Sequence, residues 1–429
     1  MSGLPKGWVE TRLGAVVELK YGKSLPKNSR TSGPFSVYGS NGIVGTNEDA
    51  ITAAPAIIVG RKGSFGEVNY SPEECFPIDT TYYVDSFESV DPFFCYALLR
   101  YLPLKTLNRS TAIPGLNRED AYSLTFAIPP LAEQKRIVAK LDALNAKSAR
   151  ARTELARIET LVSRYKQAVL SKAFSGELTR EWRNGRTGIS SWRNLSLDQL
   201  ISDGPTNGWS PKADGTSSGL KSLKLSATSS GKLRLDTETI KYLDQEISDN
   251  SKYWLLPNDI LIQRANSLEL LGTTVLFDGP LREFIYPDLM MRIRVNHAKI
   301  NATYLATYLN SDPARSYFRA HATGTAGNMP KINGAVVRGT PVPTPVLDEQ
   351  HEIVRRIESA FTKIDCLATQ AKRALDLVGK LDEAILAKAF RGELVPQDES
   401  DEPAEKLLER IRAERAAAPK AKRGRGRKA

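Results

Sequence analysis

The stretch that decides the architecture occurs twice. IPPLAEQKRIVAKL begins at Ile128, and TPVLDEQHEIVRRI begins at Thr344, 216 positions later. LSKAFSGEL begins at Leu170 and LAKAFRGEL at Leu386, at the same offset. Roughly 19 of the 51 positions spanned are identical without a gap, which marks a duplicated unit. The likeness reaches upstream, where Pro114 and Asn117 match Pro330 and Asn333.

Each copy reads as one long helix. In the first, Ile137, Leu141, Leu144, Ser148, Ala151, Leu155, Ile158, Val162, Tyr165 and Val169 alternate steps of four and three. In the second, the same register gives Ile353, Ile357, Ala360, Ile364, Leu367, Ala371, Ala374, Val378, Leu381 and Ile385. That is the heptad stripe of a coiled-coil seam. Pro129-Pro130 and Pro345 hold the chain extended just before each helix, and Gly176 and Gly392 suit the end after Phe174 and Phe390. About 36–40 residues make a rod of roughly 55–60 Å. An apolar stripe also serves ordinary core helices, but length and duplication favour two rods that pair. Their polar faces are opposite in sign: Lys135, Arg136, Lys140, Arg150, Arg152, Arg157 and Arg164 against Asp348, Glu349, Glu352, Glu358, Asp365, Asp376 and Asp382. This favours helix one pairing with helix two.

Working outward, the chain divides into a globular domain at 1–127, a helical spacer at 128–178, a second globular domain at 179–343, a second spacer at 344–395, and a C-terminal helix with a basic tail at 396–429. Val16–Leu19, Ala56–Val59, Thr81–Val84 and Leu124–Ile128 read as strands of the first domain, and Thr274–Phe277 and Met291–Val295 of the second. Both domains open alike, with Trp8, Leu13 and Val17 matched by Trp192, Leu197 and Ile201. The fold class expected is α+β: two mixed α/β domains separated by two long helices forming an intramolecular antiparallel coiled coil, pseudo-twofold. Such a repeat suits two readers on two half-sites of duplex DNA, with the domains at opposite ends of the rods, and a protein partner with twofold symmetry would satisfy it equally.

Composition narrows the class. The 429 residues hold 41% hydrophobic and 25% charged side chains, ordinary for a soluble globular protein. No run of about 18 apolar residues exists and the N-terminus has no apolar leader, so a cytoplasmic location is expected. Cys75, Cys95 and Cys366 are far apart, and His297, His321 and His351 lack metal-ligand spacing, so neither a disulfide framework nor a metal site is expected. The net charge of +11 points to an acidic partner. Much of it lies in Lys420, Lys422, Arg423, Arg425, Arg427 and Lys428 of the tail, read as a non-specific phosphate tether.

The paired PPLAEQKRIVAKLD…LSKAFSGEL and PVLDEQHEIVRRIE…LAKAFRGELVPQD resemble the conserved regions of the specificity subunit of Type I restriction–modification enzymes. LPKGWVETRLG, YGSNGIVG, VGRKGSFGEV and DILIQRANSLELLGTTVLF resemble its target recognition domains. The resemblance covers nearly the whole chain in the family's order. It implies a non-catalytic subunit that binds double-stranded DNA through two target recognition domains, each taking half of a bipartite, asymmetric sequence. It also implies that the helical spacers dock two modification (methyltransferase) subunits, joined by two restriction subunits. S-adenosylmethionine, ATP and Mg would then reside in those partners, with no cofactor here and no membrane association.

Candidate DNA contacts follow from residue chemistry. Arg61-Lys62-Gly63-Ser64 and Arg264-Ala265-Asn266-Ser267 each follow a strand-like run. Arginine offers a planar fork to guanine or phosphate, Asn266 a bidentate amide to adenine, and Ser64 or Ser267 a phosphate contact. The same pattern also suits a plain turn with a solvated arginine. Ser40 and Asn41, in Tyr38-Gly39-Ser40-Asn41-Gly42, offer a polar loop to base edges or form a tight turn. Lys221 and Lys224 suit phosphates or a solvated face, and Asn117 and Asn333 stand in polar loops suited to phosphate contact. There is no Gly-rich S-adenosylmethionine loop with an Asn/Asp-Pro-Pro-aromatic element, and no GxxxxGK[ST] loop, which argues against catalysis within the chain. A coiled-coil adaptor for protein partners, touching DNA non-specifically through its basic tail, is the alternative from another class.

Overall fold

The computed structural model describes residues 3–87, 89–108, 114–184, 192–211, 218–324 and 329–417. The basic tail from residue 418 onward lies outside the described residues.

The first domain sets out β1 (Val9–Arg12), α1 (Leu13–Val16), β2 (Lys20–Tyr21), β3 (Phe35–Gly39), β4 (Gly42–Asn47), β5 (Ala56–Gly60), β6 (Val68–Ser71), β7 (Cys75–Pro77), β8 (Thr81–Val84), α2 (Pro92–Tyr101), α3 (Arg118–Ser123) and β9 (Thr125–Ile128). One antiparallel sheet has the order β2-β8-β5-β6, a second has the order β4-β3-β7, and β1 pairs with β9. In the second sheet β3 runs parallel to β7. All five residues of β5, Ala-Ile-Ile-Val-Gly, are buried, as a continuous apolar run between two strands requires. No strand forms at the expected Val16–Leu19: one helical turn ends at Val16, closed by Val17 N–H donating to Leu13 O at 2.8 Å, and Val17–Leu19 run on to β2 outside any strand. Leu13 and Val16 both face the core, so a spacing of three overrides the β preference of the valines. Helix α2 starts where Asp91 accepts from Phe93 N and Phe94 N, with Pro92 at the first helical position.

Helix α4 (Leu131–Phe174) follows, then α5 (Arg180–Asn184). The second domain comprises β10 (Arg193–Ser196), β11 (Ile201–Asn207), β12 (Leu220–Leu223), β13 (Ile240–Leu243), β14 (Ile260–Gln263), β15 (Thr274–Leu276), β16 (Phe284–Ile285), β17 (Met290–Val295), α6 (Ala302–Leu309), α7 (Asp312–Ala320), α8 (Gly334–Gly339) and β18 (Pro341–Thr344). Its sheets, β11-β17-β14-β15 and β13-β12-β16, with β10 paired to β18, repeat the first domain strand for strand. Helices α9 (Leu347–Phe390) and α10 (Ala404–Ala417) complete the chain.

At 44 residues each, α4 and α9 are longer than the periodicity alone indicated, because they start directly after Pro130 and Val346. Each ends on a left-handed glycine, Gly176 at φ +81° and Gly392 at φ +74°. The chain forms two compact units, residues 1–155 with 372–429, and residues 156–371. In the first unit, Ile137 and Leu141 of α4 share a core with Ile385, Ala389 and Phe390 of α9, while Arg152 meets Asp382 at 2.6 Å. In the second, Leu170, Ala173 and Phe174 share a core with Ile353 and Ile357, while Lys166 meets Asp365 at 2.5 Å. In each unit the two helices therefore pair antiparallel. Three residues expected in the seam, Tyr165, Leu367 and Leu381, are exposed at 61%, 59% and 53%. A strict seven-residue register drifts off the face of a 3.6-residue helix, and the Lys166–Asp365 and Arg152–Asp382 pairs occupy the contact there.

The repeated Glu-Gln at the start of each rod is buried. Gln134 donates to Pro129 O and accepts from Asp91 N; Gln350 donates to Pro345 O and accepts from Asn301 N. Each glutamine thus ties the first turn of a rod to the start of the domain helix beside it. In the first unit α10 packs Leu407, Leu408 and Ile411 into the core of the first domain.

Candidate nucleic-acid interface

Each domain carries one arginine in the same backbone frame. In the first, Gly60 N–H donates to Glu67 O and Gly66 N–H donates back to Gly60 O, both at 2.8 Å, closing the β5–β6 loop. In the second, Gln263 N–H donates to Thr273 O at 2.9 Å and Gly272 N–H to Gln263 O at 2.8 Å. Gly66 and Gly272 both sit in left-handed conformation, at φ +74° and +76°, which these turns demand. Arg61 N–H then donates to Thr80 O and Arg61 O accepts from Leu116 N, both at 2.8 Å. Arg264 N–H donates to Leu289 O at 2.9 Å and Arg264 O accepts from Ile332 N at 2.8 Å. Two residues on, Gly63 N–H reaches Pro114 O and Asn266 N–H reaches Pro330 O, at 3.3 Å in each case. Sheet edge and returning loop thus hold each arginine from two sides, at the head of the Arg-x-x-Ser stretch that both loops share.

In the first domain this frame gathers most of the expected residues. The Thr80 carbonyl accepts from Arg61 N, Lys62 N and the Ser40 hydroxyl, the last at 2.7 Å. Asn41 occupies the adjacent β3–β4 turn and is exposed. Ser64 is exposed, and its carbonyl lies where a side chain on Gly60 would collide with it. The Arg61 Nη1 donates to Asp79 O at 3.0 Å. Its guanidinium carbon lies 5.0 Å from the Tyr21 ring centroid and 5.8 Å from that of Tyr82. Burial, with the neighbouring Tyr21, pushes the Tyr82 phenol up to about 12, so it remains a neutral donor, here to Leu116 O at 3.1 Å.

The second domain is wired differently. Arg264 is half-buried and its buried Nε has no partner among the described residues. The Asn266 amide is engaged at both ends, donating to Gln263 Oε1 at 2.7 Å and accepting from Ser267 N at 2.8 Å. An adenine contact there must displace those bonds. Lys221, within β12, pairs with Glu283, and Lys224, the residue after that strand, donates Nζ to Glu238 O at 2.9 Å; both already have internal partners. Asn117 and Asn333 cap α3 and α8, accepting from Glu119 N at 2.8 Å and Val336 N at 3.0 Å. Their side-chain oxygens satisfy helix donors, the ordinary work of an N-cap. The polar loops at 110–111 and 325–328, read with them, lie outside the described residues.

Two residues beside Arg61 escaped sequence reasoning, Tyr21 and Arg118. The signal that exposes them is contact across 97 positions of chain, with Arg118 lying 5.0 Å from the Tyr21 ring centroid.

Residues 5–160 and 223–375 match the family model described as Type I restriction modification DNA specificity domain. Over 324 residues the chain is 32% identical to the Type I restriction enzyme EcoKI specificity subunit of Escherichia coli (strain K12), covering 73% of this chain and 69% of that one. It is 34% identical over 324 residues to the StySPI specificity subunit of Salmonella potsdam, covering 73% and 68%. To the EcoDI specificity subunit of Escherichia coli it is 28% identical over 445 residues, covering 96% of each. Among solved structures, a chain from work on assembly and conformational transition of the type I R-M system superposes with a TM-score of 0.67 at 20% identity, over 92% of this chain and 100% of that one. The HsdS subunit from Thermoanaerobacter tengcongensis superposes with a TM-score of 0.54 at 20% identity, over 91% and 98%. At that identity the two structures speak for the fold alone.

Proposed function

This chain belongs to the specificity subunits of Type I restriction–modification enzymes, and from that premise we propose that it is the non-catalytic subunit that reads a bipartite, asymmetric DNA target, one half per domain. The observation that carries this reading is the arginine frame present once in each domain, set among different side chains. A common scaffold with unlike surroundings is what two unlike half-sites require.

Helices α4 and α9 dock two modification subunits, and restriction subunits join that core. Large apolar side chains left exposed on the rods support this docking role. Leu161, Tyr165 and Leu367 stand out in the second unit, and Leu375, Leu377 and Leu381 in the first. Apolar clusters of this kind mark interfaces on otherwise polar surfaces. S-adenosylmethionine, ATP and Mg belong to the partner subunits, and the complex works in the cytoplasm. No helix among the described residues is long and apolar enough to cross a membrane.

Co-expression with the modification subunit of the same system tests the reading. The expected result is a stable complex that methylates one bipartite sequence, mapped by long-read sequencing of host DNA. A complex that fails to form, or that methylates nothing, contradicts it.

A further inference from the structure

Resting on the reading above, we propose that the first domain reads a guanine through Arg61, and that Tyr21 and Arg118 are the positioning residues that set the plane of its guanidinium. Tyr21 is 48% exposed. The guanidinium carbons of Arg61 and Arg118 each lie 5.0 Å from its ring centroid. Tyr21 is braced in turn by Tyr82, edge-on at 5.0 Å. Stacking on an aromatic face restricts a side chain that otherwise samples many rotamers, so less freedom is lost on binding.

The hydrogen bonding points the same way. Arg61 commits Nη1 to Asp79 O, and among the described residues its side chain takes no other acceptor. The edge left over is Nε with Nη2, the fork that matches guanine O6 and N7. Glu119 lies 3.6 Å from Arg118 Nε, whereas Arg61 has no carboxylate partner among the described ion pairs, so its charge is left for an approaching anion, which suits a site that meets DNA.

The second domain lacks this arrangement at matching positions. Tyr21 pairs with Tyr82 in the sheet, whereas Asn207 pairs with Met291 at the corresponding register. Arg118 opens α3 directly after its Asn117 cap, whereas Gly334 opens α8 after Asn333. The stacked cluster is therefore a property of one reader, and its loss should be felt in one half-site only.

The experiment uses the complex of this chain with its modification subunits. Affinity is measured for duplexes carrying all four base pairs at each position of both half-sites, with Tyr21→Ala, Tyr21→Phe, Arg118→Met and Arg61→Lys. Tyr21→Ala, Arg118→Met and Arg61→Lys should each lower discrimination at one G·C pair of the first half-site about tenfold, the size of one bidentate arginine contact. Discrimination across the second half-site should not move, which also shows that the variant is folded, and Tyr21→Phe should behave as wild type. The inference is overturned if every duplex weakens by the same factor with a shallower salt dependence, the mark of a phosphate contact. It is also overturned if discrimination stays unchanged. Should Tyr21→Ala not assemble, Arg118→Met decides by the same criteria. A wild-type complex with no base preference in either half-site refutes the functional reading itself, and is distinguished from these outcomes by the wild-type control.

Discussion

The Trp8 indole nitrogen donates to Glu133 Oε2 at 3.0 Å, joining the first residue of one domain's core to the first turn of α4. The duplicated partners are arranged otherwise. Glu349 accepts from the Thr179 hydroxyl and from Arg183, and the buried Trp192 nitrogen has no partner among the described residues. The same tryptophan and glutamate are thus used in two ways within one chain. A hydrogen bond to a buried charged group contributes about 1.5–3 kcal/mol. Trp8→Phe should therefore lower stability by that amount, and Trp192→Phe by under about 0.5 kcal/mol. Urea denaturation of the two variants checks the difference.

Arg183 is the only charge neutralising Glu349 among the described ion pairs, and the Glu349 side chain is wholly buried. Removing one member of a buried pair costs about 3–5 kcal/mol, because the other is left charged in the interior. Arg183→Met should cost that much, and Arg183→Met with Glu349→Gln should recover a large part. A double-mutant cycle by chemical denaturation measures the coupling; additive losses would show that the two groups act independently.

Across the paired helices, Arg152–Asp382 and Lys166–Asp365 are partly exposed, so each contributes about 0.2–1 kcal/mol. Reversing Arg152 to Glu should weaken the fold slightly, and adding Asp382→Arg should restore it. High salt should erase both effects, and restoration that survives salt would point to packing instead.

Acid should act through Glu352. Its carboxyl is held at about 2 by hydrogen bonds from Arg355 and then Arg356, which outweigh the opposing effect of burial. In the unfolded chain the same carboxyl titrates near 4.3. A depressed folded value means stability that is present above about 4.3 and is lost as pH falls toward about 2. Asp203 carries the same sign: burial acts to raise it, and Arg292 and Arg294 overcome that and hold it low. Urea midpoints measured from neutral pH into that window should fall, and Glu352→Gln should show a smaller fall.

Leu377 is 63% exposed on α9. Leu377→Glu should leave stability within about 0.5 kcal/mol. Together with Leu381→Glu it should abolish co-purification of the modification subunit, and full retention of that subunit would remove these residues from the docking face.

The long helices were legible because a duplicated heptad stripe with glycine stops leaves few alternatives, as Ile137 and Ile353 illustrate. Drift of the real helix placed Tyr165 and Leu381 outside the contact, a matter of 3.6 against 3.5 residues per turn. The domain interiors were legible where short β-like runs lie between turn residues, wholly apolar at Ala56–Val59 and mixed at Thr81–Val84 and Met291–Val295. Glu133 and Gln134, polar residues in the first turn of α4, are 1% and 0% exposed, since partners such as Trp8 and Asp91 arrive from far along the chain. For Glu133, burial even lifts the carboxyl above its usual range against the pull of its hydrogen bonds to Trp8 and Gln397. The arginines could be proposed from residue chemistry, but their shared frame rests on backbone bonds to residues 116 and 332, which no local pattern encodes.

The most direct measurement is an exchange of residues 180–343 for the equivalent domain of a relative with a different target, followed by methylation mapping of the host genome. The account predicts that one half of the bipartite sequence changes to that of the donor while the other half stays as it was. A target changed in both halves, or in neither, would contradict it.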